Sequence, residues 1–310
     1  MEGSAARTWP PLAHFVAAEE RLGAWALTRG PYVAGLYEFL RFGVKQAWAC
    51  LFGGLICALL ITSYLFYTED AGVSRYDALT LAVVGIQIAL LWLRMETWEE
   101  AKVIALYHGV GTIMEVFKTA VGSWVYPEAS VLRLAGVPLF TGFLYASIGS
   151  YIARVWRLFD FRFTRHPPLR LTLPLAGAIY LNFFTHHVMW DMRLPLMALS
   201  GLLFGRTTVY FKIWHVHRRM PLVIGFLLVT LFIWIAENIG TASRIWLYPN
   251  QHAAWAMVAW GKFGSWYLLM IVSYVLVTLV SRPRDIRWSA RGEGQPVDVG
   301  RDRIERAQFR

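Results

Sequence analysis

The sequence is short of charge, and it has little cysteine. Only 16% of its 310 residues are charged, whereas a soluble domain of this size usually carries about 25%. Cys50 and Cys57 lie on one face of a predicted helix, too far apart for a disulfide. Zinc-finger, P-loop and dinucleotide-binding patterns are missing, so the formal charge of +10 does not indicate a nucleic-acid partner. These absences argue against a soluble catalytic domain, a disulfide scaffold and a nucleic-acid-binding protein.

Long apolar runs take the place of those features. Apolar residues make up 57% of the chain, and the runs are long enough to cross about 30 Å of hydrocarbon. The pattern predicts an all-α, polytopic membrane helix bundle of about eight transmembrane helices. We expect spans at 46–67, 78–93, 101–121, 136–156, 171–190, 194–213, 221–239 and 260–280.

The segments outside this bundle differ in composition. Residues 1–45 mix aromatic and charged side chains, which predicts an interfacial or cytoplasmic segment. Residues 46–280 form the transmembrane domain, and the basic tail 281–310 is expected to be disordered. Arginine and lysine concentrate before the first span and after the fourth, sixth and eighth spans, which predicts that both termini are cytoplasmic.

One local sequence occurs twice. Glu115 begins a segment that ends in Trp124-Val-Tyr-Pro, and Glu237 begins one that ends in Trp246-Leu-Tyr-Pro. Six of the thirteen positions are identical at a constant offset of 122 residues. Spans 3–4 then correspond to spans 7–8, and four intervening spans give both copies the same direction. We therefore expect a parallel internal repeat about an axis near the membrane normal.

The two glutamates are the first candidates for a functional site. A carboxylate in the membrane costs about 2.5–3.5 kcal/mol on insertion scales and is a functional candidate by default. Two facing carboxylates would share protons, which suits acid–base chemistry without a cofactor. The loop aromatics Trp124 and Trp246 are candidate pocket residues, although the membrane interface also favours tryptophan.

Further polar residues fall within the predicted spans. His108 shares the helical face of Glu115, with Lys118 one turn beyond. We expect His108 and Arg206 to assist the glutamates deeper in the bundle, with Arg206 paired preferentially to Glu237. The remaining pocket candidates are Lys118, Asn182, His186 and Asn238. His186 and His187 are equally consistent with interfacial positions, and no helix carries a metal-binding histidine spacing, so no metal is expected.

The runs His108-Gly-Val-Gly-Thr-Ile-Met-Glu-Val-Phe-Lys118, Gly122-Ser-Trp-Val-Tyr-Pro-Glu128 and the segment from Gly136 to Tyr151 carry a family resemblance. They resemble a bacterial integral-membrane family catalogued as domain of unknown function 817. The resemblance extends from about the first span to the eighth. It implies a multi-pass protein of the bacterial inner membrane and implies no particular activity.

A fainter resemblance is to carotenoid-modifying membrane proteins, the heterodimeric-type lycopene cyclases and the bacterioruberin-pathway hydratases. It is carried by Glu115, Trp124, Tyr126-Pro127 and Gly136-Val-Pro138. The chain departs from the cyclases after the proline, where they have paired glutamates and this sequence has Leu139-Phe140.

Three functions remain open from the sequence. The leading hypothesis is a cofactor-independent acid–base enzyme acting on a lipid or isoprenoid, with membrane lipids and a hydrophobic small molecule as partners. A small-solute or proton-coupled transporter is the alternative, because protonation of an intramembrane carboxylate couples carriers to gradients. A structural or assembly protein with a polar core is the third possibility.

Overall fold

The structure, a computed structural model, describes residues 10–68 and 70–284. The first nine residues and nearly all of the predicted tail 281–310 lie outside the described residues. The described helices are α1 Pro10–Thr28, α2 Pro31–Ala49, α3 Leu51–Phe66, α4 Arg75–Trp92, α5 Trp98–Ala120, α6 Thr141–Leu158, α7 Leu169–Thr185, α8 Arg193–Phe204, α9 Leu222–Ala242 and α10 Gly261–Val280. The described strands are β1 Arg133–Leu134, β2 Val137–Pro138, β3 Arg162–Thr164, β4 Thr208–Lys212 and β5 His217–Pro221.

The protein is a mostly helical membrane protein. By length and composition, α4, α9 and α10 can each cross a membrane. The pair α2 and α3, bent by 67° at Cys50, makes a fourth span if counted as one. A helix lies in each of the eight intervals in which the sequence predicts a span, but several of these helices are too short or too polar to pass the same test.

The sixth predicted span, 194–213, is wrong in its second half. Helix α8 has only 12 residues and ends at Phe204. Residues Thr208–Lys212 instead form β4, which pairs antiparallel with β3 and with β5. The segment is rich in β-branched and aromatic side chains, which favour a strand over a helix. The fold is therefore not purely α-helical, and the small sheet lies at the end of α6 remote from Glu115.

Helices α5 and α6 approach closely because glycine faces an aromatic ring. A Cβ atom at Gly111 would lie 2.7 Å from the Tyr145 side chain. A Cβ atom at Gly149 would likewise lie 2.7 Å from the Tyr107 ring. Contacts this short do not occur between real side chains, so only glycine permits the present spacing of the two helices. This packing places Tyr145 beside α5.

The two Trp-x-Tyr-Pro loops contact each other through their backbones. Val125 donates its N–H to the carbonyl of Leu247, and Leu247 donates its N–H to the carbonyl of Val125, each at 3.0 Å. The two residues form an isolated antiparallel bridge. The loops that follow the two glutamate helices therefore meet at equivalent positions.

Arg75, at the start of α4, ties the flanking segments together. Its guanidinium forms an ion pair with Glu128 and donates to the carbonyls of Ser243 at 3.3 Å and Arg244 at 3.2 Å. Asp77, two residues further along the same helix, accepts from the backbone N–H of Leu132 at 2.6 Å. These contacts fix both loops against one end of the bundle, which we call the glutamate end.

Candidate functional site

Glu115 lies on α5 with its carboxylate surrounded by donors. The residue is 4% exposed. Its oxygens accept from the Trp124 indole at 2.8 Å, the Tyr126 hydroxyl at 2.5 Å and the Tyr145 hydroxyl at 2.6 Å. Three donors, two from the following loop and one from the neighbouring helix α6, satisfy a buried carboxylate that would otherwise be very costly.

Glu237 lies on α9 in a similar but smaller shell. It is 5% exposed and accepts from the Tyr248 hydroxyl. The Trp246 indole lies beside the same carboxylate and packs on Gly240, where a Cβ atom would clash with its ring. Tyr267 does not complete this shell, because its hydroxyl contacts Ser200 Oγ at 3.3 Å. Each glutamate thus uses the tryptophan nine residues later and the tyrosine eleven residues later.

Both carboxylates open into one cavity of about 850 Å³. Trp124 and Trp246, expected as pocket residues, line it as well. The rings of Trp124 and Tyr248 meet edge to face at 6.0 Å between centroids. Aromatic side chains from both loops therefore join the two shells at one end of the cavity.

The rest of the cavity is apolar and elongated. Its wall along α9 includes both Leu222 and Glu237, which at 1.5 Å per residue are about 22 Å apart. Helices α3, α6 and α10 supply the other long walls, and Phe159 and Phe211 lie at the far end. The two native cysteines, Cys50 and Cys57, also line it. The shape suits an extended hydrophobic molecule.

The cavity is open on one side through apolar residues. Phe39 on α2 and Phe232 on α9 line it while remaining 69% and 68% exposed. Leu228, one turn from Phe232, is 49% exposed and lines it too. Exposed apolar side chains on membrane helices face hydrocarbon, so this opening suits entry of a ligand from the lipid.

Arg206 does not belong to this site, and its expected mid-span position is wrong. It follows the end of α8 and is exposed. The described ion pairs do not include one between Arg206 and Glu237. An early helix end explains the difference, because it leaves Arg206 in the turn before β4 and not within a span.

His108 lies on α5 but does not line the cavity. Its ring is half-buried at the contact with α6 and lies 4.4 Å from the Phe143 ring, centroid to centroid. Its Nδ1 is buried without a hydrogen-bond partner in the described part of the chain. The close α5–α6 packing holds this side chain away from both carboxylates.

Asn182 and Asn238 form hydrogen bonds with backbone groups. Asn182 Oδ1 accepts from the Met192 N–H at 3.0 Å. Asn238 accepts from the Val258 N–H at 2.9 Å and donates to the Trp234 carbonyl at 2.8 Å. These bonds order the segments that follow α7 and α9, and neither asparagine lines the cavity.

Lys118 and His186 contact each other and not the glutamates. The Lys118 Nζ lies 3.0 Å from His187 Nε2 and 3.5 Å from His186 Nε2. No group of three or more histidine, cysteine, aspartate or glutamate residues in the described chain is placed to hold a metal ion.

Sequence reasoning did not assign the tyrosines that complete the carboxylate shells. Tyr126 and Tyr248 belong to the repeated loops, so the offset of 122 residues pointed to them without giving their role. Lys262 was missed entirely. Its Nζ lies over the Tyr248 ring at 4.2 Å and the Trp124 ring at 5.5 Å, and the corresponding position of the first copy is Phe140, so the repeat gave no indication of it.

Comparison with known proteins places these features in a family. The family model described as "Protein of unknown function (DUF817)" matches residues 38–274. The "Uncharacterized protein YoaT" of Bacillus subtilis (strain 168) is 40% identical over 248 residues, which cover 80% of this chain and 93% of that protein.

Two solved structures align with part of this chain. A mycobacterial Insig homologue, MvINS from Mycobacterium vanbaalenii, aligns with a TM-score of 0.46 and 13% identity, covering 61% of this chain and 98% of that chain. A cross-linked trimer of the same homologue aligns with a TM-score of 0.43 and 14% identity over the same shares.

Proposed function

The chain belongs to the DUF817 family, and we propose that it is a cofactor-independent membrane enzyme acting on a lipid or isoprenoid by acid–base chemistry. One observation carries the proposal: Glu115 and Glu237 both open into a single elongated apolar cavity. A hydrophobic ligand extended along α9 would place its reactive end between the two carboxyl groups. Arg206 and His108 take no part, because neither lines the cavity.

The two carboxyl groups would divide the proton transfers. One protonates the ligand and the other removes a proton from it, so no external cofactor is needed. Tyr126 and Tyr145 donate to Glu115, whereas Glu237 receives only the Tyr248 hydroxyl among the tyrosines. Unequal hydrogen bonding gives two like groups at one site different proton affinities, as an acid and a base require.

We also propose that the site arose by duplication. The equal spacing from glutamate to tryptophan and tyrosine supports a parallel repeat, as does the reciprocal bridge between Val125 and Leu247. In this arrangement the repeat axis passes near that bridge. All eight helices of the bundle would cross the bacterial inner membrane, several of them obliquely, with both termini in the cytoplasm.

A proton-coupled carrier is the second candidate. The cavity extends from the glutamate end to Phe159 and Phe211, near the sheet at the opposite end of α6. A route of this length with two protonatable groups is also what a carrier needs.

Lipid analysis of a deletion strain tests the leading proposal. The strain is complemented with the wild-type protein, Glu115→Gln, Glu237→Gln or the control Glu99→Gln. Glu99 also lies on α5, but its side chain is 66% exposed and paired with Lys102. We expect the wild type and the control to restore one lipid or isoprenoid pool and both cavity variants to leave it altered. An unchanged pool with altered solute uptake would favour the carrier.

Occupancy of the cavity can be measured with the native thiols. Cys50 and Cys57 are the two cysteines of the chain, and both line the cavity. We expect a long-chain isoprenoid or lipid bound there to slow their modification by a membrane-permeant maleimide. Labelling at the same rate with every hydrophobic ligand would contradict ligand binding along α3.

A further inference from the structure

A second polar cluster lies at the glutamate end, outside the cavity. Its centre is Lys118, which is 5% exposed although it is a lysine. The Nζ contacts the Nε2 atoms of His187 and His186. Burial of an ammonium group requires polar partners, and here those partners are imidazoles.

The imidazole of His186 is fixed in orientation. Its Nδ1 lies 2.8 Å from the Asn182 carbonyl oxygen. A carbonyl only accepts, so Nδ1 carries a proton and Nε2 faces Lys118. Asn182 is itself held by the Met192 N–H. The cluster is therefore ordered by backbone contacts.

Two further cations, Lys262 and Arg193, interact electrostatically with Lys118. The Nζ of Lys262 lies 5.5 Å from the centroid of the Trp124 ring, and the Trp124 indole donates to Glu115, one turn before Lys118 on α5. Arg193 is neutralised by Asp191, whose Oδ2 accepts from the Nε at 2.6 Å. Lys262 lies over the Tyr248 and Trp124 rings, which limits its freedom to move away.

The cluster carries excess positive charge. Among residues 10–68 and 70–284, no carboxylate forms an ion pair with Lys118 or with Lys262. Glu237 is the carboxylate that interacts electrostatically with Lys262, and it accepts a hydrogen bond from the Tyr248 hydroxyl. Like charges held together at a partly buried site destabilise the protein unless an anion joins them.

We propose that Lys118 and Lys262, with His186 and His187 positioning Lys118, bind a phosphate-type dianion. Two lysines that have no ion-paired carboxylate among the described residues match its two negative charges, whereas a carboxylate ligand would neutralise only one. Lysine is a common phosphate ligand, and the Nε2 of His186 accepts from the Lys118 ammonium and holds it in place. The phosphate could belong to a lipid headgroup or be free in solution. The site does not depend on which molecule fills the cavity.

Binding to the purified full-length protein in detergent tests the proposal. The probes are inorganic phosphate, a short-chain phosphatidic acid and the matching diacylglycerol, and the readout is the shift in thermal unfolding with probe concentration. We expect at least one phosphate-bearing probe to stabilise the wild type and the diacylglycerol not to. Stabilisation by both phosphate probes indicates a site for the free anion, and stabilisation by phosphatidic acid alone indicates a headgroup site.

Matched lysine variants locate the effect. We expect Lys118→Met and Lys262→Met each to weaken binding about 10- to 100-fold, the range for one charge-assisted hydrogen bond. The control Lys102→Met also lies on α5, but its side chain is 68% exposed and paired with Glu99, so it should bind as the wild type does. If Lys118→Met does not fold, Lys262→Met locates the effect, and Lys118→Arg, which keeps the charge, should bind as the wild type does.

Equal binding by the wild type and both methionine variants, or no stabilisation by any phosphate probe, would overturn the proposal. Glu115→Gln separates this proposal from the proposed enzyme. That variant should retain phosphate binding while it fails to restore the lipid pool.

Discussion

Removal of Arg154 should destabilise the protein more than removal of any exposed arginine. Arg154 lies on α6 and is completely buried. Its guanidinium lies 3.5 Å from the Glu96 carboxylate, which is also fully buried, and 3.4 Å from the Trp48 carbonyl. The methionine variant would leave Glu96 as a buried charge without its cation. Within residues 10–68 and 70–284, the Gln87 amide, at 2.5 Å, would then be the one remaining hydrogen-bond partner of that carboxylate.

The expected magnitude follows from this burial. Breaking a buried ion pair by removing one partner costs about 3–5 kcal/mol. For a chain of this size, 1 kcal/mol corresponds to roughly 2–4 °C in the unfolding midpoint. We therefore expect Arg154→Met to lower the midpoint by roughly 6–20 °C, and Arg154→Met/Glu96→Gln to recover part of that loss because the stranded charge is gone.

Thermal unfolding in detergent, followed by circular dichroism, measures the effect. Arg193→Met is the control: it lies at the start of α8 and pairs with Asp191 at 2.6 Å, and the two side chains are 40% and 38% exposed. Its loss should cost less than about 1 kcal/mol, as for exposed pairs. Equal midpoints for Arg154→Met and Arg193→Met would refute the reasoning, and so would a double variant less stable than the single one.

Two further predictions concern packing and pH. Gly111→Ala should lower the free energy of unfolding by about 1–3 kcal/mol, because its Cβ would lie 2.7 Å from the Tyr145 side chain. The control Gly109→Ala lies on the same helix, and its Cβ would meet nothing within 4 Å, so it should be neutral or stabilising by about 0.5–1 kcal/mol. Comparison of the two unfolding midpoints checks this. The hydrogen bond from Arg193 lowers the pKa of Asp191 to about 2, below the unfolded value of about 3.9. The pair's small stabilisation should therefore be complete above about pH 4 and be lost as the pH falls towards 2, and unfolding of Asp191→Asn between these pH values should lack that dependence; an unchanged pH profile in the variant would contradict the assignment.

The positions of the helices were predictable because long apolar runs in the sequence indicate helices that can be buried in a membrane. A helix lies in each predicted interval, and the DUF817 resemblance was confirmed. The bend at Cys50 and strand β4 were not predictable in the same way. Strand β4 depends on contacts with a segment far away in the chain, because it pairs with β3, more than 40 residues before it.

The residues of the candidate site that belong to the repeated sequence were predictable. The repeat brought out Glu115, Glu237 and their tryptophans, all of which line the cavity. It gave no information on single-copy residues. Arg206 was assigned to the bundle interior and is exposed, whereas Arg154, to which the sequence pattern gave no role, is fully buried. Composition reveals a charge but not its partner, and Glu96 lies 58 positions away from Arg154.

The bridge between Val125 and Leu247 has a consequence for how the two carboxylate shells respond to a ligand. Each bridging residue lies between the tryptophan and the tyrosine of its own shell. A movement that pulls Trp124 or Tyr126 away from Glu115 therefore strains the backbone that positions Tyr248 on Glu237. We therefore expect the two shells to open and close together, and substitutions in one not to be energetically independent of substitutions in the other. A ligand that engages only one carboxylate would still reorganise both.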